Sequence, residues 1–94
     1  MGRLPGAELV LEGLADLAGA RETVPALLVE IAAPRLERAG VRIPSLPAHP
    51  LEAELRLYLR LGERHGAEAH AQCNALLRRL TSFCRALEGR AARG

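Results

Sequence analysis

The chain has 94 residues, the length of one domain, with 13 Arg against 11 acids and a formal net charge of +2. Ala, Leu and Arg supply about half of it, whereas Val, Ile and Thr together supply 8 residues, beside one Phe, one Tyr and no Trp. The first set loses little rotamer freedom in a helix and the second is what strands favour, so the composition argues strongly against a sheet and excludes most enzyme folds built on parallel sheets. The high apolar content excludes disorder.

Residues 1–5 read as a tail, and a first helix is predicted over about 6–18. Val10, Leu11, Leu14, Leu17 and Ala18 share its apolar face, Glu8, Glu12 and Asp16 fall on the other, and Gly19 is the stop. Gly13 weakens its interior by up to ~1 kcal/mol relative to Ala. A second helix is predicted over about 23–39, with Thr23 as N-cap, Pro25 in the first turn and Gly40 as stop; Pro34 falls inside and should bend it. The segment 41–50, with Pro44, Pro47 and Pro50, reads as a stiff extended connection.

A third helix is predicted over about 50–64, opened by Pro50 at its first position, with a broad apolar arc that includes Leu51, Leu55, Leu57, Tyr58, Leu59 and Leu61. Arg56, Arg60 and Arg64 are placed on its polar side, and a turn follows near His65 and Gly66. The fourth, over about 67–88, carries the clearest periodicity: Ala69, Cys73, Leu76, Leu80, Phe83 and Leu87 recur at spacings of 4 and 3, with Gly89 as stop and fraying beyond it. The fold expected is therefore all-α: one domain over 1–94, a small antiparallel four-helix bundle of two αα-hairpins joined by the Pro-rich connection.

Cys73 and Cys84 lie eleven residues apart on one predicted helix, about 16 Å along its axis, too far to bridge, and read as reduced, buried, apolar residues. No apolar run approaches the roughly 20 residues of a membrane span, and Glu8, Glu12 and Asp16 break any signal-peptide reading of the N-terminus, so a cytoplasmic protein is expected. His65, His70 and Cys73 fall short of a metal site, because zinc wants four fixed donors and Cys73 lies on the core seam; no metal and no cofactor are expected. The carboxylates of Glu8, Glu12 and Asp16 read as a solvated face.

Leu57, Tyr58 and Leu61 are the residues expected to meet a partner, because the third helix carries more apolar surface than one neighbour can cover. The function expected is thus that of a small non-catalytic interaction module whose partner is a second copy of itself, as a homodimer, or another protein. The alternative is a nucleic-acid protein. Arg78, Arg79 and Arg85, with Arg90 and Arg93, concentrate on the C-terminal helix and tail, although no aromatic residues interleave to stack on bases, which disfavours nucleic acid. Arg60-Leu-Gly-Glu-Arg-His65 also resembles the Arg-x4–6-His signature of HEPN-type ribonucleases, and Arg64 to His70 fits the same spacing. That resemblance implies a dimeric helical bundle in which Arg60 takes the phosphate or transition-state charge and His65 the water or 2′-hydroxyl.

Overall fold

The structure, a computed structural model, describes residues 6–46 and 48–93, with side chains to residue 90. The expected tail 1–5, Pro47 of the connection, the Arg93 side chain and Gly94 lie outside the described residues. The helices are α1 (Ala7–Ala18), α2 (Val24–Arg38), α3 (Ala53–His65) and α4 (Ala69–Arg93), with a 3-10 turn (Gly66–Glu68) between the last two. No strand occurs among the described residues.

Local chemistry explains most of these limits. Thr23 caps α2: its Oγ1 accepts from the Ala26 N–H at 3.2 Å, while its hydroxyl donates to Asp16 Oδ2 at 2.6 Å. Pro25 sits in the first turn, where a missing N–H costs nothing. α2 ends in a Schellman motif: the Val41 N–H donates to the Leu36 carbonyl at 2.9 Å and the Gly40 N–H to the Glu37 carbonyl at 3.0 Å, with Gly40 at φ 95°. Pro34 is exposed, and the helix continues past it to Arg38.

Two boundaries differ from expectation. α3 begins three residues later than Pro50 suggests, because the His49 ring Nδ1 accepts the Leu51 N–H at 3.0 Å and holds the chain in a bend at Pro50 and Leu51. α4 passes through Gly89 to Arg93. A glycine inside a helix costs only about 1 kcal/mol, and just before it Glu88 is gripped by both Nε and Nη2 of Arg35 on α2, at 2.9 and 2.7 Å.

α2 is central. It packs against α1, α3 and α4, and its Leu27, Leu28, Val29 and Leu36 are wholly buried. The core is completed by Val10 and Leu17 from α1, Leu57 and Leu61 from α3, and Ala69, Cys73, Leu80, Phe83 and Cys84 from α4. Gly13 is where α1 and α2 cross most closely: a Cβ there would collide with the Pro25 carbonyl oxygen and lie 2.6 Å from Val29 Cγ2.

Helical structure is unbroken in sequence from Ala53 to Arg93, but the run folds back on itself at Gly66, whose φ 54° and ψ −119° belong to a region open to glycine. The reversal brings the Tyr58 and His70 rings to 6.4 Å in an edge-to-face contact. The all-α class is thus observed, with three helical segments in sequence, the third of them doubled over.

Candidate functional site

Two of the three residues expected at a partner surface are elsewhere. Leu57 is 0% and Leu61 4% exposed; both are absorbed by the chain's own core between α2 and α4, so they are withdrawn as contact residues. Tyr58 is exposed, and it does not stand alone. Leu51, Leu55, Tyr58 and Leu59 are each between 40% and 51% exposed. At about 100° per residue Leu55, Tyr58 and Leu59 fall within an arc of roughly 100°, centred about 130° round the helix from the buried Leu57 and Leu61, and Leu51 stands in the bend just before the helix. Gly62 continues the stripe, and a Cβ placed on it would meet nothing within 4 Å. α3 is therefore apolar over two faces, one inward and one outward.

What separates the two faces was read from sequence as solvent-facing. Arg56 lies on the shoulder of α3 with its side chain 7% exposed, and Glu30 of α2, at 8%, holds it through an Nη2–Oε1 contact of 2.6 Å. Arg56 also donates to Glu22 Oε2 at 2.9 Å and to the Leu51 carbonyl at 3.1 Å, and Arg60 donates to the other Glu22 oxygen at 3.0 Å. Bonds from Arg60 and Arg56 hold the Glu22 carboxyl below the usual carboxylate range, and the bond to Glu30 raises the Arg56 guanidinium further. The network ties the α1–α2 loop, α2 and α3 together. The sequence carried no signal for it: Arg56 falls with Arg60, Glu63 and Arg64 on the polar side of α3.

The ribonuclease-like pair is not assembled. Arg60 is engaged by Glu22 and borders a recess with Thr23, Val24, Pro25, Glu63 and Arg64, whereas His65 is exposed at the end of α3, about 140° further round the helix. The arginines of α4 divide as well. Arg79 pairs with Glu8 of α1 at 2.6 Å, while Arg78 and Arg85 lie with Asn74, Thr81 and Ser82 on the face of α4 turned away from its core seam and form no ion pair among the described residues.

Cys73 and Cys84 are both free and buried, and burial pushes both thiols up. Among the described residues no three His, Cys, Asp or Glu side chains gather in a way that could hold a metal ion. In the α1 stripe, Glu8 is held by Arg79 and Asp16 by Thr23 and Arg21; the Thr23 hydroxyl, and then Arg21, keep the Asp16 carboxyl below its usual range. A recess of about 320 Å³ beside the loop is lined by Leu17, Leu46 and His49, but the carboxylates at its edge, Glu22 and Glu30, are already bonded to arginines.

No helix is long and apolar enough to cross a membrane among the described residues. Comparisons with protein-family models, curated proteins and solved structures found no match to this chain.

Proposed function

We propose that this chain is a non-catalytic helical docking module that binds protein through the outward face of α3, on an architecture best read as a small antiparallel four-helix bundle of two hairpins. The bundle reading is supported by α1 against α2 and by α3 folded back on α4, with α2 touching all the others. The docking reading is carried by one observation: three large apolar side chains, Leu55, Tyr58 and Leu59, stand half exposed on consecutive turns of a helix that already buries Leu57 and Leu61, with half-exposed Leu51 in the bend just before it. Scattered apolar residues on a surface are ordinary, but a contiguous stripe marks a place where another surface fits. Covering it would contribute roughly 1 kcal/mol per side chain, from about half of each residue's transfer free energy.

The measurement is retention of protein partners by the purified, tagged chain. A Leu55→Asp/Leu59→Asp variant should keep the wild-type melting temperature, because both side chains are exposed, and should lose every partner, whether a second copy or another protein. Leu57→Asp, by contrast, should not fold, because it places a charge at a wholly buried position. Equal retention by the folded double variant overturns the reading.

A further inference from the structure

We propose that His49 is a proton-operated latch at the entrance to α3, a device beyond the docking reading and independent of it. The neutral ring holds Leu51 in the bend before the helix, and the protonated ring releases it. Two side chains converge on the backbone of Leu51. Its N–H donates to His49 Nδ1 at 3.0 Å, and its carbonyl accepts from Arg56 Nε at 3.1 Å. Both polar backbone groups of one residue are therefore held by side chains, one an imidazole and the other a permanent cation. The Leu51 side chain, meanwhile, is 40% exposed.

The two bonds answer to acid differently. An imidazole nitrogen accepts a hydrogen bond only while it carries no proton. Nδ1 takes the Leu51 N–H when the ring is neutral and its proton sits on Nε2, whereas in the imidazolium both nitrogens are donors. Histidine is the side chain type whose charge changes between about pH 5 and 8. The Arg56 guanidinium stays charged throughout that interval. Acidification therefore opens the latch at one end: it frees the Leu51 N–H while Arg56 still grips the carbonyl.

The groups around the ring leave its own proton in control. His49 borders the recess of about 320 Å³ together with Arg21 and Glu22 from the α1–α2 loop and Glu30 from α2. Each of these is already engaged: Arg21 by Asp16, Glu22 by Arg56 and Arg60, and Glu30 by Arg56. α1 brings the apolar Leu17 to the recess, and the connection brings Ser45 and Leu46. Glu52, on the segment leading into α3, borders a different recess with Tyr58 and His70. The bond from Leu51 to His49 is exposed and spans two residues, so it fixes the place of Leu51 and not the stability of the bundle. Leu51 begins the exposed apolar stripe, so the latch sets where the first side chain of that stripe stands.

The experiment is NMR of the isotopically labelled full chain between about pH 8 and 5. It follows the His49 ring and the solvent exchange of the Leu51 amide, each exchange rate divided by that of an unstructured chain at the same pH. In the wild type, protection of the Leu51 amide should fall about fivefold in step with protonation of the ring, the loss expected for one exposed hydrogen bond. His49→Asn supplies an amide oxygen that accepts at every pH, so its Leu51 protection should stay level. His49→Ala should show the low protection throughout, with the wild-type melting temperature. Wild-type protection that ignores the His49 titration would overturn the latch. So would a fall in His49→Asn as large as in the wild type. No partner enters the measurement, so either result leaves the docking reading where it stood, and loss of that reading leaves the latch intact.

Discussion

Arg56 shows how much a single residue settles in so small a core. Its guanidinium is surrounded by Glu30, Glu22 and the Leu51 carbonyl, so no buried side-chain polar atom among the described residues is left without a partner. Arg56→Met removes the cation and leaves the Glu30 carboxylate in a site with little water; the expected loss is about 3 kcal/mol, read from urea unfolding. Arg56→Met with Glu30→Leu should recover most of that loss, because the desolvation of both charges disappears together.

Acid acts on the same network. Glu22 and Asp16 are held below their ordinary range by bonds that exist only in the folded chain, as is Glu88 by Arg35. Their contribution is therefore complete above the unfolded carboxylate range, about pH 4, and is lost as pH falls through the lower folded values. Melting temperature should be level from about pH 7 to 5 and drop below that, and Glu22→Gln should make the drop shallower. A drop of unchanged steepness in Glu22→Gln would show that Glu22 is not a source of the acid sensitivity.

At the scale of elements, glycine means different things at different positions. Propensity alone ranks Gly13→Ala as a gain of up to ~1 kcal/mol, but the added methyl would run into the α2 backbone at Pro25, which cannot swing aside. Gly13→Ala should destabilise by about 2 kcal/mol net, whereas Gly62→Ala, facing open space on α3, should stabilise by a few tenths to 1 kcal/mol; paired thermal melts decide both. The stops at Gly19 and Gly40, the Thr23 cap and the seam of α4 were legible because each depends on residues within a turn or two. The delayed start of α3 and the passage of α4 through Gly89 were not, because the first depends on the His49 ring and the second sits beside a bond made to Arg35 from 53 residues away.

At the scale of the whole molecule, the sequence carried the helical class and most of the core, but only Tyr58 of the candidate surface. Periodicity shows that α3 is apolar over a wide arc. It cannot show which side of that arc turns inward, since Leu55 and Leu59 are as hydrophobic as Leu57 and Leu61. The choice is made by contacts distant in sequence: Arg56 to Glu30, 26 residues away, and Arg60 to Glu22, 38 away. The same distance hid the network itself, because Glu30 and Arg56 each look like ordinary solvated residues within their own helices.

A helix with two oily sides could be rolled half a turn about its axis and still bury leucines, so hydrophobicity by itself leaves the chain two nearly equivalent ways to close. The charged clamp on the shoulder of α3 fits only one of them, because rolling the helix would carry Arg56 to the opposite shoulder, beside α4, and strand Glu30 in the interior. A polar contact that contributes little to the depth of the native well thus acts as its key, admitting one rotational setting and locking out its near twin.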